Sequence, residues 1–198
     1  DSIFDHPERG HCEHFAQQRV ATYLEKNGFK VEKGVGGVET ALRAEYQSME
    51  GGPTIGFCGE YDALPIGHAC GHHLQTAFAC GAIVAMKNVL GGTRPFKVVM
   101  YATPDEEGNV ASGKKEMIDG GCFSELDVAL IAHGGAETTL DETSMAFTKL
   151  DFTFTGISSH PGAHPEVGRP AWDAFQIAVH GMNFLRAHLP LGTQLHWA

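Results

Sequence analysis

A chain of 198 residues, 42% hydrophobic and 19% charged, has the composition of a folded globular protein with one large domain or two small ones. Its 24 acidic against 14 basic residues, a formal net charge of -10, exclude the basic face that phosphate neutralisation needs, so small molecules or proteins are the expected partners and nucleic acid is not. No run of about 18 apolar residues occurs and the opening DSIFDHPERG lacks the sections of a secretory signal, so no membrane partner and a cytoplasmic location are expected.

The first residue is Asp, which implies that a natural start has been removed. From Cys12 to Asn27, Phe15, Ala16, Val20, Tyr23 and Leu24 recur at helical spacing, and Asn27-Gly28 supplies a stop. Two short strand-like segments follow, Lys30 to Lys33 and Thr40 to Tyr46. Thr54 to Gly59 is a compact apolar run between Gly-Pro and acidic residues, the pattern of a buried parallel strand. Leu74 to Leu90, apolar almost all round and rich in Ala, predicts a helix pressed against a sheet. Phe96 to Thr103 reads as the next buried strand, Ala111 to Gly120 as an amphipathic helix with a Gly-Gly stop, and Val128 to Ala132 as another short strand. This alternation predicts an α/β layer fold with a mostly parallel sheet flanked by helices. Beyond about Met145 the texture changes: Phe147, Leu150, Phe152 and Phe154 predict a β-rich stretch, followed by a polar loop from Ser158 to Arg169 and a helix from Ala171 to His188. Two domains are therefore expected, 1–145 and 146–198.

Twelve histidines make metal chemistry worth testing, while five cysteines at irregular spacing (Cys12, Cys58, Cys70, Cys80, Cys122) do not form a disulfide framework. Three segments place metal-type side chains directly after an expected buried strand: Glu60 to His73, Asp105 to Glu107, and His133. In open α/β sheets, ligands bind beyond the carboxyl ends of the strands, so the three segments are expected to converge. Within HACGHH, Cys70 and His72 alternate around Gly71, and thiolate and imidazole are ordinary zinc ligands. Glu106 and Glu107 suit a division of labour in which one binds metal and the other moves a proton. Each motif alone also fits a bland reading: a buried thiol beside a hydrogen-bonded His, a solvated acidic turn, a structural His133, an Asp62 that merely starts a turn. Thiol redox chemistry at Cys58 or Cys70 lacks a CxxC pair.

The string GEYDALPIGHACGH, then PDEEG, then a strand ending in His133, then GISSHPGAHPEVGRPAWDAF, resembles the aminoacylase and carboxypeptidase G type metallopeptidases of family twenty. The branch it is most similar to contains aminobenzoyl-glutamate hydrolase, the auxin-conjugate hydrolases and dipeptidase-like amidohydrolases. The resemblance implies a zinc-peptidase-like catalytic domain over 1–145 and the beginning of a lid and dimerisation domain over 146–198, in a family whose members are roughly twice as long and carry a final histidine ligand in a returning segment. It implies two divalent ions, zinc or manganese, with Cys70 bridging them and His72, Glu107 and His133 as further ligands. Glu106 would be the general base of a metal-activated water, and Asp62 would support the cluster from behind its ligands. His160 would reach the neighbouring subunit's site and stabilise the oxyanion, which implies a homodimer. The implied reaction is hydrolysis of an amide bond in an N-acyl amino acid, an aminobenzoyl-glutamate-like compound or a dipeptide. The alternative is a non-catalytic metal-binding relative of the same fold. One departure stands out: the branch usually has Asp or Asn where this chain has His73.

Overall fold

Ala16, Val20, Ala21 and Leu24 form a stripe with the three-to-four residue spacing of one helical face, and His14–Lys26 winds into helix α1 with that stripe buried. The structure, a computed structural model, describes residues 1–108, 113–140, 146 and 148–197. After α1 the chain supplies strands β1 (Lys30–Lys33), β2 (Leu42–Gln47) and β3 (Thr54–Glu60), then helix α2 (His72–Leu90), strand β4 (Lys97–Thr103), helix α3 (Gly113–Asp119) and strand β5 (Val128–Ile131). The strands form one sheet in the order β1-β2-β4-β3-β5. β3 pairs in parallel with both β4 and β5, whereas β2 runs antiparallel to β1 and β4. The sheet is thus α/β but mixed: an antiparallel pair extends one edge of a parallel trio.

Alternation along β4 explains the layering. Val98, Met100 and Ala102 face a core with α1 and α2, while Val99 and Tyr101 face a second core with Val38, Ala41 and Met117 of α3. Helix α2 lies close over β3 because Gly59 has no side chain: a Cβ there would stand 3.0 Å from the Thr76 Cα. Thr76 in turn donates its hydroxyl to the Glu60 carbonyl at 2.5 Å, pinning the helix to the strand end that leads into the crevice. α2 begins at His72, two residues before the apolar periodicity does, because Gly71 takes a left-handed turn (φ 83°) straight into the helix.

The chain divides into two compact units, Asp1–Met145 and Ala146–Ala198. In the second, helix α4 covers Ala171–Leu185, and a short 3-10 turn, Arg186–His188, completes the expected helical span. The β-rich stretch expected around Leu150 to Phe154 is corrected: among the described residues of this unit the pairing is a single antiparallel bridge, Ile157 with Arg169. Residues 150–156 have the apolar composition of a strand, but among the described residues no ladder forms along them, and a strand without a ladder is not one. Phe147 lies outside the described residues.

On the sheet's second face Glu125 gathers Arg43 (2.7 Å), Lys97 (2.6 Å) and the Tyr101 hydroxyl (2.9 Å), tying the loop before β5 to β2 and β4. The Arg43 guanidinium, aided by Lys97 and Tyr101, holds the Glu125 carboxyl down at about 2. A depressed carboxyl stabilises the fold fully above its ordinary value of 4.5 and loses that contribution as pH falls toward its folded value. Glu125→Gln should therefore cost about 1–3 kcal/mol near neutrality, with the gap to the unmodified chain closing as the pH drops below about 4.5. Urea midpoints at pH 7 and pH 3 check this; coincident midpoints at pH 7 would show that the cluster anchors nothing.

Candidate metal centre

The carboxyl ends of β3, β4 and β5 lie side by side, and each runs directly into a segment carrying potential ligands. After β3 the backbone stays buried through Tyr61, Asp62 and Ala63, and the Ala63 N–H donates to the Glu8 carbonyl at 2.8 Å. The chain then loops to Cys70 and turns at Gly71, which sets His72, completely buried, as the first residue of α2.

His72 is the centre of the cluster. Its Nδ1 lies 2.9 Å from Asp62 Oδ1. An ionised carboxylate only accepts, so Nδ1 carries the proton and Nε2 of the neutral ring presents a lone pair. That lone pair faces Glu60 Oε2 at 3.5 Å and Glu106 Oε2 at 3.7 Å, and among the described residues neither Glu60 Oε2 nor His72 Nε2 has a hydrogen-bond partner. Cys70 Sγ lies 3.5 Å from His133 Nε2, and the His133 ring stands edge-on to His72 with centroids 5.8 Å apart. Two donor sets result, Cys70-His72-His133 and Glu60-His72-Glu106, each with its ligand atoms within 4.8 Å of one another. Buried acceptors facing acceptors repel unless a proton or a cation lies between them, so this donor set fits a divalent ion.

The acidic turn after β4 is held from two sides. Asp105 sits in the left-handed region (φ 53°), costly for a residue with a Cβ. Its N–H donates to Glu13 Oε1 at 2.9 Å, and Glu13, fully buried, also accepts the Thr40 hydroxyl at 2.8 Å. The Glu107 N–H donates to Asp62 Oδ2 at 2.8 Å, so one aspartate orients both His72 and the turn. The kink sends the two glutamates apart: Glu106 toward His72 Nε2, while the charge of Glu107 bears on the Cys70 thiol.

Electrostatics follow this crowding of acids. Burial and then the neighbouring Glu60 raise the Glu106 carboxyl above its ordinary value. Burial opposes the charge on Asp62, but its hydrogen bonds from His72 and the Glu107 N–H outweigh that and keep its carboxyl low. For His72 burial pulls downward, while the bond to Asp62 and the charges of Glu60 and Glu106 carry the imidazole above its usual range. The Cys70 thiol is pushed up to about 11 by burial and by Glu107, a shift that a bound cation reverses.

Of the residues singled out from sequence, Asp62, Cys70, His72, Glu106 and His133 meet in this cluster; the Glu107 carboxylate stands outside both donor sets, and its charge bears on the Cys70 thiol. His160 lies in the second unit, exposed, its Nδ1 accepting the Gly162 N–H at 3.1 Å. His73 turns away from the metal-type cluster, its ring against Phe4 (5.1 Å) and His68 (5.0 Å). Sequence reasoning gave no role to Glu60, its ion-pair partner Lys114, or Glu13. For Glu60 a signal existed: it stands two residues before Asp62 at a strand end, and alternate strand residues share a face.

Residues 56–190 match Peptidase family M20/M25/M40. The chain belongs to this family. It is 34% identical over its whole length to a p-aminobenzoyl-glutamate hydrolase subunit of Escherichia coli, covering 44% of that protein. It is 31% identical over 98% of its length to human Xaa-Arg dipeptidase, covering 48% of that one. The chain therefore spans about half the length of these curated relatives. Among solved structures, the YXEP protein of Bacillus subtilis, a dinuclear metal binding peptidase from the M20 family, shares its fold at a TM-score of 0.56 and 22% identity, covering 65% of this chain and 39% of that one.

If the Asp62 bond sets the His72 ring, Asp62→Asn should weaken divalent-ion binding about 10–100-fold while the far-ultraviolet circular dichroism stays unchanged. Titration calorimetry on chelator-stripped protein measures it; equal affinity in the variant would mean that the ring is oriented by packing alone.

Proposed function

We propose that this chain forms part of a metal-dependent amidohydrolase that cleaves an amide bond in an N-acyl amino acid, an aminobenzoyl-glutamate-like compound or a dipeptide. The observation that carries this reading is His72 Nε2, without a hydrogen-bond partner among the described residues and grouped with Cys70 and His133, with Glu106 beside it. Names of the relatives point the same way: one hydrolyses p-aminobenzoyl-glutamate and another is an Xaa-Arg dipeptidase, both amides with an amino acid on the nitrogen side.

Cys70, His72, Glu107 and His133 would hold two divalent ions, zinc or manganese. Such ions, when bound, supply Lewis acidity that makes a water a better nucleophile and polarises a carbonyl. The chain's own residues do the rest. Asp62 keeps the Nδ1 proton on His72 and leaves Nε2 free to ligate. Glu106, raised by burial and by Glu60, is a carboxylate with enough basicity to take the proton of the attacking water and return it to the departing amine. Glu13 and Asp62 fix the turn that aims it. Unit 1–145 is then the metal-binding catalytic part and unit 146–198 the start of a lid and dimerisation domain. From that domain His160 would reach a neighbouring subunit's site in a homodimer and stabilise the oxyanion.

In the complete natural protein Glu106→Gln should lower kcat by about 10²–10⁴-fold on an amide substrate such as p-aminobenzoyl-glutamate, with metal content unchanged. Elemental analysis beside the hydrolysis assay separates the two effects. Undiminished kcat would end the proton-transfer role, and metal without hydrolysis in the unmodified protein would favour a binding protein over an enzyme.

A further inference from the structure

Glu60 ends β3 with only 3% of its surface exposed. Its Oε1 contacts the Lys114 ammonium at the head of α3. Among the described residues its Oε2 has no hydrogen-bond partner and points at His72 Nε2, also without one. Buried side-chain polar atoms are nearly always satisfied, and two facing acceptors satisfy each other only through a proton or a cation between them. Glu106 Oε2 closes a triangle around the same nitrogen. Of the two carboxylates, Glu60 is the fixed one, anchored through one oxygen and buried. The Glu106 side chain is 38% exposed and has room to move.

We propose that Glu60 is a direct oxygen ligand of the cation held at His72 Nε2, with Lys114 as its positioning residue. One nitrogen lone pair binds one ion, so the two donor sets around His72 are alternatives for the same cation. Cys70-His72-His133 offers sulfur and nitrogen, which suit zinc. Glu60 with His72 offers oxygen and nitrogen, a harder pair that suits manganese. Lys114 holds Glu60 by the oxygen that faces away from His72, so Oε2 is presented to the ion without a search through rotamers, and the ammonium offsets part of the negative charge gathered there. This leaves Glu106 free for proton work when Glu60 supplies the oxygen. The inference rests on the metal-binding part of the proposed function and not on hydrolysis.

The test uses the chelator-stripped chain titrated with manganese(II) and zinc(II) by calorimetry. Glu60→Gln should weaken manganese binding by about tenfold or more and zinc binding far less, whereas Cys70→Ser should reverse the order. Equal affinities of the unmodified chain and Glu60→Gln for both ions would overturn the assignment. If Glu60→Gln fails to fold by circular dichroism, anomalous scattering from manganese-soaked crystals of the unmodified chain decides. A peak within bonding distance of a Glu60 oxygen supports the assignment, and a peak at His72 coordinated without Glu60 refutes it. Hydrolysis by the complete protein with Glu60 uncoordinated would sink this inference alone. Glu60 coordination without hydrolysis would sink the enzyme reading alone.

Discussion

The Nδ1–H bond from His72 to Asp62 is the interaction on which the site depends. It decides the tautomer of a fully buried imidazole and so turns the opposite nitrogen into an acceptor aimed at two carboxylates. Among the described residues nothing in the local packing offsets that arrangement, because Glu60 Oε2 and His72 Nε2 both lack donors. The fold concentrates unsatisfied electron pairs in one place, and a small cation satisfies them at once.

The sheet makes the concentration possible. Three parallel strands run toward the same rim, and Gly59 lets α2 approach closely enough for the Thr76 hydroxyl to donate to the Glu60 carbonyl. His72 therefore starts a helix rather than a loop, and its ring is as fixed as the helix. The acidic turn is secured differently, by Glu13 and Asp62 accepting the N–H groups of Asp105, which has a positive φ, and of Glu107.

Much of this was legible from local pattern. The apolar runs at Thr54 and Phe96 announced the buried strands, and Cys70, His72, Glu106 and His133 stood out because each follows such a run. The mixed sheet was not legible, since β2 carries the same alternation whichever direction its neighbour runs. Nor was Glu13, whose bond to Asp105 spans 92 residues. Glu60 opened the first segment of metal-type side chains without a role of its own; only the third dimension shows that it is buried between Lys114 and His72. The stretch around Phe152 had strand composition without a ladder to join, which composition cannot reveal.

Glycine at positions 10 and 108 ties the segment ahead of α1 to the acidic turn. A Cβ at Gly10 would fall 1.7 Å from Asp105 Oδ1, and one at Gly108 would fall 2.3 Å from Oδ2. With His11 3.2 Å from the same carboxylate and Glu13 on its backbone, residues 10–13 act as a clasp around the turn. A substitution or protease nick within residues 10–13 would thus be felt at the paired glutamates while the central strands kept their pairing.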